Sequence, residues 1–500
     1  MDRNKRPYLE LFPEEREKLI GDSRYLMMTL PSIIEVGEKT PLKMVMLNFA
    51  GMPDEGFEGV VNLRPSDPGL EAPEKITFET KDLGRKLVPG VEATEAGVYF
   101  LEAEVEGTPS KPVPSNPVQA KTRAETRLYW GDIHVHTFFG NCHADCAKDP
   151  GFGYWYGREV TQLDFAAASD HLRGLTTERW DRTKEINDEY NVDGEYVTLL
   201  GFESSHSKDH GGDINVYYRG NDADYFWLDR EDMKGTKPMV GLDVLWEWLD
   251  EQGKPYITIP HHTGRAAKYR NFELPYYNRE RETLLEIYSM WGSSEARHDG
   301  YFLRGGKTDG KSYFQDALLL GYKYGVIGSS DNHQTMPGTP FSILSSSYHH
   351  PPNKMVSQGL AAVYATELTR AHIFDSLLRR NCYGTTSTRP ILNFWVDRTP
   401  MGQTLSAEKE TRKLKVELSS SVLPCTIEVV RNNEVIRSHQ ADQPFTRLVF
   451  DDDSDASNHL IRNSPKNPRP FLYYYVRVTF SGVYNGVSAW SSPIWVESTG

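Results

Sequence analysis

The pattern of apolar and polar positions divides the chain into three stretches. Up to about Arg127, short apolar runs such as 42–47 and 97–101 are separated by Pro, Gly and Asp, and a Pro-rich linker from Pro109 to Pro117 closes the stretch. Runs of that length between turn residues predict strands, and hence a β-sandwich-like domain over residues 1–127. From Leu128 the rhythm changes. Apolar runs at 165–169, 196–202, 256–260, 284–288, 324–330 and 359–364 alternate with segments of helical period, for example 242–249 and 371–378. With the run into Val135 this makes about seven strands, and their alternation with helices implies βα units and an α/β domain over residues 128–393. After Arg389-Pro390 the alternation stops. Runs such as 414–418 and 474–480 alternate with period two, which predicts a second β-sandwich-like domain over residues 394–500.

Composition narrows the function classes. At 500 residues the chain exceeds one ordinary domain. A net charge of -14, with local acidity at Asp451-Asp452-Asp453, gives no general attraction for nucleic acid, so a nuclease role is disfavoured. No apolar run approaches the roughly 20 residues needed to span a bilayer, and Met1 to Pro7 lacks the hydrophobic core of a secretory signal. No membrane association and a cytoplasmic location are therefore expected. The four cysteines, at 142, 146, 382 and 425, are too few for a disulfide framework, and Cys142 and Cys146 alone do not complete a tetrahedral zinc site. Tyr154-Trp155-Tyr156 reads as core packing rather than as a pocket wall.

The chemistry lies at the strand ends. His134 and His136 are two residues apart, so on an extended chain both imidazoles share a face and can grip one divalent ion. Downstream apolar runs end in Asp170-His171, in Glu203 with His206 and His210 close behind, in His261-His262, and in Asp331-Asn332-His333. In a βα barrel the strand C-termini converge on one rim, where residues far apart in sequence meet. Mixed imidazole and carboxylate donors suit zinc, manganese or iron better than magnesium or calcium. Arg265 follows His261-His262 closely and is the candidate for binding an anionic substrate, since a guanidinium makes paired hydrogen bonds to phosphate or carboxylate. Arg173 and Lys268 are weaker candidates. Gly-x-Ser-x-Gly and Walker-type loops are absent, so serine-esterase and nucleotide-kinase chemistries lack their residues.

The order of these motifs, an opening H-x-H, a D-H, an acidic residue, a histidine and a closing D-x-H, resembles the polymerase-and-histidinol-phosphatase (PHP) superfamily of metal-dependent phosphoesterases. The resemblance covers residues from near Leu128 to near Pro390, and is closest to a branch with flanking β-rich segments. It implies a distorted (β/α)7 PHP-type barrel holding two or three divalent transition-metal ions. One ion would sit between His134, His136, Glu203 and Asp331. A second would share Glu203 and take His261, with His206, His210 and Asp213 competing for the extra place and His210 preferred. A third would use His171, His333 and a loop donor, His143 or Asp145. The implied activity is hydrolysis of phosphate esters of anionic small molecules by a metal-bridging hydroxide, with Glu203 and Asp331 as the catalytic carboxylates. The same site could hydrolyse a carboxylic ester or amide, because Lewis-acid chemistry suits either electrophile. A non-catalytic binding protein using its β-sandwich domains is the alternative outside enzymology. Substrate identity, native metal and oligomeric state stay open.

Overall fold

A computed structural model describes residues 24–48, 51–108, 112–141, 148–226, 240–266, 270–301, 303–339, 358–406, 411–481 and 488–498. In the N-terminal stretch, Arg24–Thr29, Thr40–Asn48, Arg85–Ala93 and Leu70–Glu71 form one four-stranded sheet. Gly59–Pro65, Lys75–Phe78, Leu101–Val105 and Val113–Pro114 form a second. Side chains alternate across a strand, so Leu42, Met44 and Val61 turn inward and share one core with Phe78, Val91 and Leu101.

The middle stretch is built on Arg127–Val135. That strand runs parallel to Phe165–Ala168, which runs parallel to Val197–Ser205. Beyond it the sheet turns antiparallel, through Asp213–Tyr218 and Tyr256–Pro260. On the other side Arg127–Val135 pairs antiparallel with Gly359–Ala365, and the sheet continues through Cys382–Thr386 and Ser488–Ser491 into the C-terminal strands. Leu284–Ser289 and Gly325–Gly328 form a separate parallel pair.

This corrects the expected (β/α)7 barrel. Strands and bridges take 43% of the described residues and helices 16%. The hydrogen-bonded sheet of 13 strands is mixed, with parallel and antiparallel neighbours. The physical reason is in the connections. Parallel neighbours need a long crossover, usually a helix, whereas Val197–Ser205 returns directly into Asp213–Tyr218 through a short loop and pairs antiparallel. Antiparallel pairing of Gly359–Ala365 with the first strand then leads the sheet onward rather than round.

Helices cover this sheet where the sequence gives them an apolar stripe. Leu242–Glu251 buries Leu242, Leu245, Trp246 and Leu249, at the spacing that lines one helical face. Thr177–Tyr190 is capped by Thr176, whose hydroxyl accepts from the Arg179 amide. Tyr154 and Tyr156 are buried, the first donating to Asn187 Oδ1 and the second to the Gly51 carbonyl. The core of the middle stretch continues past residue 394: Trp130, Tyr383, Leu392, Leu414 and Val476 belong to one apolar cluster. Among the described residues no helix is long and apolar enough to cross a membrane.

One buried ion pair fixes the segment that follows His262. Arg270 makes two hydrogen bonds to Glu282, at 2.8 and 2.9 Å, and both side chains are fully enclosed. Arg270 also donates to the Tyr276 carbonyl, and its amide donates to the Thr263 carbonyl. Breaking such a pair leaves an uncompensated buried charge, so Glu282→Gln should destabilise the fold by about 3–5 kcal/mol. Denaturant unfolding would show it as a lower midpoint at unchanged slope.

Candidate metal centre

Five strand ends and their following loops bring the site together. His134 lies at the end of Arg127–Val135 and His136 just beyond it, both fully buried. The loop with Asp331 is stitched against them: the His136 amide donates to the Asn332 carbonyl at 2.8 Å and the Asn332 amide to the His134 carbonyl at 3.3 Å. Asp132, also buried, accepts from the Ser330 and Gly338 amides at 2.9 Å each and so braces both ends of that loop. Burial pushes the Asp132 carboxyl up to about 6, against its hydrogen bonds. Asp170 accepts from the Thr137 amide and hydroxyl, both at 2.6 Å, and acts as a brace. Asp331 and His262 both take positive φ, 51° and 34°, a conformation that side-chain-bearing residues adopt at a cost.

Two carboxylates organise the imidazoles. Glu203 Oε2 lies 2.9 Å from His171 Nδ1, 3.3 Å from His136 Nε2 and 3.7 Å from His134 Nε2, and Oε1 lies 3.6 Å from His261 Nε2. Asp331 Oδ1 lies 3.0 Å from His136 Nε2, 3.4 Å from His134 Nε2 and 3.6 Å from His333 Nε2. The His333 ring stacks on His136 with centroids 4.3 Å apart. Four sets of three have donor atoms within 4.8 Å of one another and could hold a metal ion: His134, Glu203 and His261; His134, His136 and Asp331; His136, His171 and Glu203; and Asp213, His261 and His262.

The donors fit a cation better than they fit each other. His134 Nε2, His136 Nδ1, His171 Nδ1 and both nitrogens of His261 are buried without a hydrogen-bond partner, although His171 Nδ1 is close to Glu203. Buried polar atoms are seldom left so. The protonation pattern is equally divided. Burial opposes charge on His134, but Asp331 and Glu286 outweigh it and hold that imidazole well above its usual range. Burial, with His333 and His171 beside it, holds His136 well below. Burial pushes Glu203 up, yet His171, His134 and His261 outweigh it and keep the carboxyl well below its usual range. Burial raises Asp331 to about 6 against the pull of His134 and His261.

Other sequence candidates fall elsewhere. His206 is buried with both ring nitrogens in use, Nε2 on Ser204 Oγ at 2.7 Å and Nδ1 on the Val240 carbonyl at 2.9 Å. His210 stands beside Ser207, Nδ1 to Oγ 2.6 Å, outside the four donor sets. Arg173 is exposed. His143, Asp145, Cys142, Cys146 and Lys268 lie outside the described residues, and Cys382 and Cys425 are buried free thiols. Arg265 is half-buried, its Cζ 4.1 Å from the Trp291 ring centroid, and that ring is 6.0 Å from His333 and 6.3 Å from His262.

Comparison with known proteins finds relatives described as uncharacterized. A family model described as a protein of unknown function, DUF3604, matches residues 282–417. That span contains Glu286, Trp291, Asp331 and His333. No PHP family model matches. An uncharacterized protein of Chlamydia pneumoniae is 24% identical over 463 residues, covering 89% of this chain and 70% of its own. One of Chlamydia muridarum is also 24% identical, over 469 residues, with the same coverage. Among solved structures, trypsin-activated alpha-2-macroglobulin from Escherichia coli has a TM-score of 0.17 at 8% identity, over 95% of this chain and 24% of that one. A glycosyl hydrolase family 2 member from Bacteroides cellulosilyticus has a TM-score of 0.21 at 8% identity, over 95% and 78%.

Three residues of the site have no role assigned from the sequence. Glu286 Oε2 meets His134 Nδ1 at 2.9 Å. His262 Nε2 lies 3.6 Å from Asp213 Oδ2 and 4.0 Å from Asp331 Oδ2. Arg304 lies with Arg265 against Trp291. Glu286 alone carried a usable signal: a carboxylate inside the apolar run 284–288 is buried and needs a partner.

Proposed function

We propose that the protein is a metal-dependent hydrolase of small-molecule phosphate esters. The observation that carries this reading is the convergence of buried imidazoles on Glu203 and Asp331, with several ring nitrogens lacking hydrogen-bond partners, beside the half-buried guanidinium of Arg265. The motif order shared with the PHP superfamily supports it, and the reading depends on the donor set, not on a barrel. Two or three zinc, manganese or iron ions would supply Lewis-acid polarisation of the ester oxygens and acidify water. His134, His136, His171, His261 and His333 would hold them, with Glu203 and Asp331 as shared carboxylates and Asp213 with His262 as a further pair. Enclosure of these donors limits access of bulk water and strengthens every electrostatic contact inside. Arg265 would bind the nonbridging oxygens and orient the phosphorus. In the net reaction water gives its oxygen to the phosphoryl group and a proton to the departing alcohol.

The test is elemental mass spectrometry of purified protein together with a screen of phosphate esters, carboxylic esters and amides. Bound transition metal is expected, along with phosphate-ester hydrolysis that chelation abolishes and added zinc or manganese restores. A fully active metal-free protein would sink the reading, and a preference for amides or carboxylic esters would transfer it to that chemistry.

A further inference from the structure

We propose that Arg304 and Arg265, gathered against Trp291 at the edge of the candidate metal centre, form a paired-guanidinium site that selects the doubly charged group of a phosphate monoester over a diester. The inference rests on the hydrolase reading above and adds to it a residue and a charge class.

Two loops build the pair. Arg265 and Arg304 place their Cζ atoms 4.1 and 4.6 Å from the centroid of the same indole. Arg265 Nε donates to the Arg304 carbonyl at 3.1 Å, and the Arg304 amide donates to the Trp291 carbonyl at 2.7 Å. The Ala266 amide donates to the Gly306 carbonyl and the Thr308 amide to the Gly264 carbonyl, so the two loops are stitched on both sides of the arginines. Both guanidiniums are half-buried.

Two guanidiniums held against one indole repel each other, and an anion seated between them lowers that repulsion. Burial, with the charge of Arg265 adding to it, brings Arg304 down to about 10, so it stays protonated at neutral pH. Burial holds the Arg265 guanidinium below its usual range, against the favouring charges of Asp331, Asp213 and Glu203. Those are the oxygens a metal would engage, and their negative charge is then offset. With metal bound, the edge of the site would be strongly cationic. A phosphate monoester, with charge near -2 and three acceptor oxygens, matches two guanidiniums beside cations. A diester carries less charge, and its second substituent takes one of those oxygens.

The probes are phenylphosphonate, a dianion without an ester bond to cleave, and its monomethyl ester, a monoanion of similar shape. Each is titrated calorimetrically into the metal-loaded full chain at mildly alkaline pH. Wild-type protein should bind phenylphosphonate more tightly. Arg304→Ala should weaken that binding roughly tenfold or more, as expected for losing a charged hydrogen-bond donor, and leave the ester little changed. Arg304→Lys should recover part of the preference, because it keeps charge without the planar fork. Metal content should stay at the wild-type level in both variants. The proposal is overturned if both variants, folded and metal-loaded, keep the wild-type preference, or if wild type shows none. Arg304-dependent binding in a protein that hydrolyses nothing would keep the anion site and remove the hydrolase reading. Ester hydrolysis without an Arg304-dependent charge preference would do the reverse.

Discussion

Glu203→Gln is expected to remove nearly all phosphate-ester turnover and part of the bound metal while the chain stays folded. Glu203 is within 3.7 Å of nitrogens on His134, His136, His171 and His261, so one carboxylate serves imidazoles from the ends of several strands. The amide keeps size and shape and loses the negative charge that offsets clustered cations. Loss of a shared ligand should exceed the roughly 10–100-fold typical of losing an outer partner. Asp331→Asn should behave alike, and for a useful reason: asparagine tolerates the positive φ of 51° at this position, so the loop is retained and only the charge goes. Glu434→Gln, a carboxylate on the exposed strand Glu434–Ala441, is the control and should leave turnover unaltered. Steady-state kinetics and metal analysis on the same preparations decide the matter. Wild-type rates in both site variants at full metal occupancy would show that the centre has been misassigned.

The strand ends were legible in the sequence because apolar runs and the polar residues that terminate them are local signals. His134, His136, His171, Glu203, His261, Asp331 and His333 all follow such runs, and the structure brings them together. Sheet direction was not legible. A buried strand is apolar on both faces whether its neighbour runs parallel or antiparallel, so Val197–Ser205 and Asp213–Tyr218, buried almost throughout, gave no hint of their antiparallel pairing. Asp213–Tyr218 is not among the strands expected from the sequence, and without it the path from Glu203 to His261 reads as a βα crossover. Continuity of the sheet into Ser488–Ser491 depends on pairing with Cys382–Thr386, a contact across about a hundred residues that no local pattern encodes.

The roles of Arg304 and His262 are set by tertiary structure alone. Arg304 has no periodic setting, and its relation to Arg265, 39 positions away, arises only when two loops meet. His262 was visible, but as the neighbour of His261. Its role depends on a positive φ that turns its ring toward Asp213 and Asp331, and positive φ at a histidine cannot be read from the sequence.

Glu286→Gln should lower metal affinity by roughly 10–100-fold, the loss typical when the carboxylate behind a metal-binding histidine is removed. The argument starts from two fully buried side chains. His134 Nδ1 faces Glu286 Oε2 at 2.9 Å, a geometry in which the ring N–H donates to the carboxylate. With Nδ1 so engaged, the second proton is the one on Nε2, the atom aimed toward Glu203 and Asp331 at 3.7 and 3.4 Å, and its loss to an incoming cation frees the lone pair there. A carboxylate acceptor makes the imidazole more basic and fixes its tautomer, whereas a glutamine oxygen can still accept the same proton but adds no charge. Glu286→Gln should therefore keep the ring in place and weaken its grip on a cation, and Glu286→Leu should weaken it further by freeing the tautomer. Competition against a chromophoric chelator measures the affinity directly, without reference to any substrate. Unchanged affinity in both folded variants would mean that Glu286 only fills space behind His134. A larger fall for Leu than for Gln would assign it the orienting role.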